Sequence, residues 1–255
     1  MKIEIENLNF NYNEKNIFEN LNLKFKKGNL NGILGPNGCG KTTLLKAIIK
    51  LLKINNQSIY HDSVDINKLD NSIIAKNIAY VEQSSIQMPK IKTIDYIKLS
   101  RYSYDDFYHI NNKVVNDTIK LLKIDKLKDK YISELSGGEL QKVIIARALS
   151  QETKIIILDE PNANLDPLHQ LEIMNLLKFL VKEKKITIIT TLHDINLALS
   201  YCDQVLLIKD NQITYGETLK TITKENVKKY FNLNSSFIEN PFTKRPYIIL
   251  HQEKN

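Results

Sequence analysis

The stretch Gly35-Pro-Asn-Gly-Cys-Gly-Lys-Thr-Thr43 constrains this chain more than any other. Two glycines five positions apart are followed by Lys41 and Thr42; the short apolar run Leu30–Leu34 precedes them and the amphipathic pattern TLLKAIIKLLK follows. Strand, glycine-rich turn and helix in that order form a phosphate cradle. Glycines let backbone N–H groups turn inward around phosphate oxygens, and the helix N-terminus adds its positive end. In such a cradle Lys41 reaches the β and γ phosphates and Thr42 offers its hydroxyl to Mg²⁺. The candidate nucleotide-binding residues are therefore Gly35, Pro36, Asn37, Gly38, Cys39, Gly40, Lys41, Thr42 and Thr43. The chain has only eight glycines, and five of them stand at 35, 38, 40, 137 and 138, so free backbone geometry is needed at two places above all. Cys39 sits where the helix dipole would lower a thiol pKa. A small residue tolerated at a variable position is the simpler reading, and no redox chemistry is expected of it.

Hydrophobic periodicity sets the rest of the chain around this cradle. Alternation predicts strands over Lys2–Phe10 and Ile17–Lys26, Leu30–Leu34 is a third, and short strands follow near Ile59 and over Ile78–Val81. From about 84 to 150 the pattern turns helical, with helices expected over Thr93–Leu99, Asn111–Lys123 and Gly137–Leu149. Beyond that lobe come strands Lys154–Leu158, Ile186–Thr191 and Gln204–Lys209, alternating with helices Pro167–Lys182 and Ile195–Ser200. Such alternation implies an α/β fold with a mostly parallel sheet. The tail, with a strand at Ile213–Tyr215, a helix at Lys224–Phe231 and strands near Phe237 and Tyr247–Leu250, reads as an ordered extension over about 216–255. One domain over 1–255 is expected.

Two further stretches carry chemistry. Lys154-Ile-Ile-Ile-Leu-Asp-Glu160 is an apolar strand ending in two carboxylates, at the edge where ligands bind in open α/β sheets. Asp159 and Glu160 need separate roles: one carboxylate can hold Mg²⁺ through its water shell, and the adjacent one can orient or deprotonate the water that attacks the γ phosphate. Alternation makes the two side chains diverge. Leu135-Ser-Gly-Gly-Glu-Leu-Gln141 starts a helix, with Ser136 as N-cap and Glu139 closing a capping box. Paired glycines after a cap also expose donors that can grip a phosphate brought from outside.

Composition excludes much else. With 36 basic and 29 acidic residues the net charge is +7, but 33 of the basic residues are scattered lysines, which read as solvated faces rather than a nucleic-acid stripe. Cys39 and Cys202 form no framework and lack metal-ligand spacing, as expected in a reducing cytosol. Glu4 and Glu6 occupy the region a signal peptide keeps apolar, and no apolar run approaches the roughly 18 residues of a membrane span.

The cradle, LSGGELQ and the strand closing in LDEP, in that order, resemble the ATP-binding subunit of an ABC transporter over essentially the whole chain. The resemblance implies a P-loop ATPase core with an antiparallel N-terminal β subdomain and a helical lobe. It implies that Ser136, Gly137 and Gly138 contact ATP held by a second copy, that Asp166 belongs to the loop crossing that interface, and that Tyr12 stacks on adenine. Gln83 would sense Mg²⁺ and the permease, and His193 would be the switch histidine at the γ phosphate. Closer features resemble the branch importing iron-siderophore, haem or cobalamin complexes: TLHDINLALSYCDQVLLIKD after the histidine, SRYSYDD, and the tail NPFTKRPYIIL. The three arginines, Arg101, Arg147 and Arg245, fall on positions of that resemblance, whereas Ser100, Ser103, Lys244 and Asn162 depart from it. None of the departures removes a catalytic group.

The implied machine is a head-to-tail pair enclosing two ATP, attached to integral-membrane permease subunits at the cytoplasmic side of the membrane and acting indirectly with an extracytoplasmic binding protein. Tyr96, Tyr102, Tyr104, Phe107 and Tyr108 give the lobe an aromatic stretch suited to a permease helix or to core packing. A soluble cassette without a permease, such as one serving iron-sulfur cluster assembly, would share the same motifs. A nucleotide-binding regulator without turnover conflicts with intact Lys41, Asp159, Glu160 and His193.

Overall fold

The structure is a computed structural model describing residues 1–12, 15–54, 57–83, 90–102, 104 and 110–251. Its centre is a six-stranded sheet. In chain order the strands of this sheet are β3 (Leu30–Leu34), β6 (Ile78–Val81), β7 (Ile155–Leu158), β8 (Thr187–Thr191), β9 (Gln204–Lys209) and β10 (Gln212–Glu217), arranged β10-β9-β3-β8-β7-β6. All neighbours run parallel except β10, which returns antiparallel to β9 at the edge. A second, antiparallel sheet holds β1 (Ile3–Tyr12), β2 (Lys15–Lys24), β4 (Ile59–His61) and β5 (Val64–Asp65) in the order β2-β1-β4-β5.

The pleat of the parallel sheet divides the interior. Ile155 and Ile157 point with Ile33, Ile189, Leu206 and Ile208 toward the antiparallel sheet and helix α1 (Lys41–Ile48). Ile156 and Leu158 point the other way, with Leu30, Ile188, Val205 and Leu207, onto α5 (Gly137–Ser150), α6 (Pro167–Lys184) and α7 (Ile195–Tyr201). A strand buried on both faces is why IIIL is apolar without alternation, and each such side chain contributes about 1.5–3 kcal/mol of burial. Helix α2 (Asn71–Asn77) packs beside β6, and the lobe helices α3 (Thr93–Lys98) and α4 (Ile110–Leu121) pack on α5 and on each other. The lobe has its own core, in which Ile97, Val115, Ile119, Ile132 and Val143 are buried together.

The tail, α8 (Thr218–Thr221), α9 (Lys224–Phe231) and the hairpin β11 (Asn234–Glu239) with β12 (Pro246–His251), is packed against the core. Tyr230 is fully buried, and Asn196 of α7 exchanges two hydrogen bonds with the backbone of Ile248. Arg245 donates to the last carbonyls of α7, Leu199 at 3.2 Å and Ser200 at 2.7 Å, where a cation meets the negative end of the helix. Arg101 does the same for α5: it donates to the Ser150 carbonyl at 2.9 Å, pairs with Glu152 at 2.8 Å and stacks on Tyr104. Arg147 lies over the ring of Tyr96.

Most expected elements are present within a residue or two. α1 ends at Ile48, short of the expected pattern, because Lys50 adopts a left-handed φ of 60° and sends its ammonium to the Asn67 and Leu69 carbonyls. Helices α2 and α8 were not expected; both are single short segments whose periodicity is too brief to register. Phe107, Tyr108, Ser103 and the start of the expected lobe at 84–89 lie outside the described residues.

Candidate nucleotide site

The cradle follows β3 at the carboxyl edge of the parallel sheet. Gly38 and Gly40 have left-handed φ of 76° and 103°, and a Cβ on Gly40 would lie 2.7 Å from Ile17 Cγ2. Gly35 is tighter still, since a Cβ there would lie 2.2 Å from the Ile208 carbonyl oxygen. The glycines are thus required by backbone shape and by close approach. α1 begins without a side-chain cap and without an acidic residue in its first turn, so its first N–H groups and dipole face the cleft uncompensated. Lys41 is buried and its Nζ donates to the carbonyls of Gly35 at 2.8 Å and Pro36 at 3.0 Å.

A cleft of about 510 Å³ opens here, lined by Asn37, Gly38, Gly40, Lys41, Thr42 and Thr43 from the cradle and by Ile17, Gln83, Glu160 and His193 from outside it. Burial pushes the Cys39 thiol above its ordinary pKa despite nearby Lys41, so the dipole effect does not prevail.

The two carboxylates do diverge, though not by strand alternation. β7 ends at Leu158, and Glu160 takes a left-handed φ of 50° that turns its side chain into the cleft. Asp159 stays buried and accepts a hydrogen bond from the Thr191 hydroxyl at 2.8 Å. The same Thr191 oxygen accepts the Glu160 N–H at 2.7 Å. One hydroxyl at the end of β8 therefore sets both residues. Sequence reasoning passed over Thr191, because a threonine ending a strand two residues before His193 carries no mark of its own.

Glu160 is itself held from two sides. Its Oε1 lies 2.7 Å from His193 Nε2, and its Oε2 accepts from Gln83 Nε2 at 2.8 Å. An ionised carboxylate only accepts, so Nε2 of His193 carries the proton of that contact. Asp159 Oδ2 is buried with no partner among the described residues. A charged oxygen in that position is expensive unless a cation or its water shell meets it, and the cleft-lining Thr42 hydroxyl and Gln83 amide oxygen are likewise of the hard oxygen type that Mg²⁺ takes, so the residues present fit that ion by their chemistry.

Ser136, Gly137, Gly138 and Asp166 are absent from the lining of this cleft. They stand at two neighbouring helix starts. Ser136 caps α5, its Oγ accepting from the Glu139 N–H at 3.3 Å while Glu139 accepts from the Ser136 N–H at 2.9 Å, as the capping box requires. Asp166 caps α6 through the His169 N–H at 3.0 Å. Tyr12 ends β1, and its side chain lies outside the described residues.

The ABC transporter family profile matches residues 18–163. The chain belongs to that family, as an ATP-binding subunit. An uncharacterized ABC transporter ATP-binding protein of Methanocaldococcus jannaschii is 39% identical over 94% of each chain. The iron(3+)-hydroxamate import ATP-binding protein of Bacillus subtilis is 30% identical, over 99% of this chain and 97% of its own. Among solved structures, a transporter assigned to the metal-chelate type, in an inward-facing conformation, superposes with a TM-score of 0.85 at 26% identity, covering 98% of this chain and 96% of that one. A dimeric bacterial ABC transporter cassette superposes at 0.74 with 28% identity, covering 85% of this chain and 98% of that one. The fold is that of an ABC ATPase cassette, and the activity of the chain is ATP binding and hydrolysis. Among the described residues no helix is long and apolar enough to cross a membrane.

Proposed function

We propose that this subunit powers an importer of iron-siderophore, haem or cobalamin complexes from the cytoplasmic face of the membrane, with Glu160 as the residue that activates water. The observation carrying the catalytic part is Glu160 fixed between His193 and Gln83 in a cleft floored by the cradle. The substrate branch rests on the import relatives and on SRYSYDD and the KRP tail, whose arginines clasp helix ends.

When ATP enters, Lys41 exchanges its two carbonyl partners for phosphate oxygens, which are stronger acceptors for an ammonium. Gly38 and Gly40 admit the phosphates, and the α1 N-terminus meets their charge. Mg²⁺, held by Thr42, Asp159 and Gln83, would neutralise charge on the phosphates. Glu160 orients a water along the line of the γ phosphorus and takes its proton, while His193 holds the carboxylate in that direction. The water oxygen bonds to the γ phosphorus as the bond from that phosphorus to the bridging oxygen breaks, leaving ADP and phosphate, and Glu160 passes its proton to the released phosphate.

Ser136, Gly137, Gly138 and Asp166 lie away from their own cleft, which suits contact with the nucleotide of a second copy in a head-to-tail pair. Closing and opening of that pair would pass through Gln83 to the permease. The cargo would touch the permease and its external binding protein, not this chain.

Glu160→Gln removes the base while keeping shape, and ATP turnover is expected to fall about 10²–10⁴-fold with nucleotide binding retained. Normal turnover would defeat the assignment. The same variant, tagged and purified with Mg-ATP from detergent-solubilised native membranes, is expected to bring a many-span permease identifiable by mass spectrometry. A soluble partner without any membrane protein would instead indicate a cassette serving a cytosolic assembly.

A further inference from the structure

We propose that His169 is a positioning residue that holds the Asp166 loop and the Ser136–Gly138 helix start in fixed register, so that one chain presents both as a single surface to its partner's ATP. The inference rests on the head-to-tail reading above.

Three contacts cross between the two helices, and short local bonds fix the residues that make them. The Asp166 carboxylate is taken up at both oxygens by one residue: Oδ1 accepts from the His169 N–H at 3.0 Å, and Oδ2 lies 2.6 Å from His169 Nδ1. The other side of the imidazole meets α5, because a Cβ on Gly138 would fall 2.0 Å from His169 Cδ2 and 2.5 Å from Cγ. Gly138 therefore lacks a side chain because a ring from α6 occupies that space. Next to it, a Cβ on Gly137 would meet Leu165 Cδ2 at 3.4 Å, and the Leu165 carbonyl accepts from Gln170 Nε2 at 2.9 Å. One turn deeper, Lys142 of α5 pairs with Glu172 of α6 at 2.8 Å.

Helix capping alone does not explain this arrangement. Any residue at 169 offers Asp166 its backbone N–H, as the cap of α6 requires. What histidine adds is a second, side-chain bond to Asp166 and a flat ring thin enough to lie on the Gly138 backbone. These two additions connect the loop of one helix to the start of the other. Both oxygens being bonded, Asp166 is held below the usual carboxylate range, chiefly by the backbone bond from His169 and then by its side chain. With 57% of the Asp166 side chain and 31% of the His169 side chain exposed, the pair sits at the surface, where a second copy can meet it.

The test compares variants in the Glu160→Gln background, reading ATP-driven dimerisation by analytical ultracentrifugation and single-chain nucleotide affinity with a fluorescent ATP analogue. His169→Ala keeps the backbone cap, so thermal unfolding and single-chain affinity should stay unchanged while dimerisation weakens about tenfold, the worth of one bond to a charged group. His169→Asn places an amide N–H where Nδ1 stands and should recover most of that loss. Dimerisation unaffected by alanine, or lost without recovery by asparagine, overturns the role of His169 alone. If the parent Glu160→Gln protein stays monomeric with saturating Mg-ATP, even beside its permease, the head-to-tail reading itself fails and this inference falls with it.

Discussion

At the cleft, the two carboxylates are held by residues far along the chain: Gln83 reaches Glu160 across 77 positions, and Thr191 reaches Asp159 across 32. On the surface proposed to meet a second copy the corresponding bonds close within three, Ser136 with Glu139 and Asp166 with His169. The cleft thus exists only when the parallel sheet is complete, because β3, β7 and β8 must lie side by side to bring their carboxyl ends together. The surface proposed to meet a second copy starts from helix caps that close locally, and the packing of α6 on α5 then sets those caps side by side. Long-range assembly shields the charge of Asp159, whereas the local caps leave Ser136 and Asp166 exposed.

The comparison breaks most sharply at Thr191, the residue on which the cleft's long-range bonding converges. Thr191→Val removes the donor to Asp159 and the acceptor for the Glu160 N–H in one change of nearly constant volume. Asp159 is then left buried with neither oxygen partnered. A loss of about 3 kcal/mol in denaturant unfolding and about 100-fold in ATP turnover is expected. Thr191→Ser keeps the hydroxyl and should restore most of the turnover. If valine is tolerated on both counts, the cleft is not organised through β8 and the contrast with the partner face loses its basis.

Ser136→Ala probes the other side with a smaller effect. Removal of one exposed cap costs about 1 kcal/mol of stability, and the Glu139 half of the box remains. Single-chain affinity for ATP should not change, because Ser136 does not line its own cleft. Turnover should fall about tenfold through weaker pairing of two copies. A change in single-chain nucleotide affinity, measured by titration with a fluorescent analogue, would show that the two regions are not separate.

What was legible in the sequence follows the same division. The capping box at Ser136 and the Asp166-Pro167 helix start could be read because their partners are three residues away. Leu30–Leu34, Gln204–Lys209 and Lys224–Phe231 have the bounds their patterns imply, since each is a run with clear punctuation. The phosphate cradle was readable for a different reason: its glycines are needed by the backbone itself, and so mark the sequence directly. Thr191 and His169 were not readable. A threonine at a strand end and a histidine inside a helix are ordinary, and only the sheet order and the packing of α6 on α5 give them their partners. The left-handed turn at Glu160 was equally hidden, because glutamate has no local preference for that conformation.

A third region, the antiparallel sheet, supplies the smallest effect and tests whether the floor of the cradle depends on pH. His61 of β4 is buried, its Nε2 lying 2.9 Å from the Ile48 carbonyl at the end of α1, and its Nδ1 has no partner among the described residues. The bond to a carbonyl requires the proton on Nε2, so a second proton would place charge on a buried Nδ1 that nothing accepts. Burial lowers the His61 pKa below its ordinary 6.5, against weaker opposing contributions from Ile48 and Asp62. With the folded value depressed, folded and unfolded chains are both neutral at this site above 6.5, and its contribution to stability is fully present there. As pH falls below 6.5 the unfolded chain takes up a proton that the folded chain does not, so stability is lost until the folded value is reached. His61→Gln retains an N–H toward the Ile48 carbonyl and does not titrate, and other groups cancel between the two proteins. The stability of the native chain relative to this variant, from urea unfolding, should therefore decline as pH falls below 6.5, by no more than about 1.4 kcal/mol per pH unit. A difference independent of pH would mean that His61 is solvated in the folded chain, and that the packing of β4 on α1 is looser than the sheet beneath the cradle.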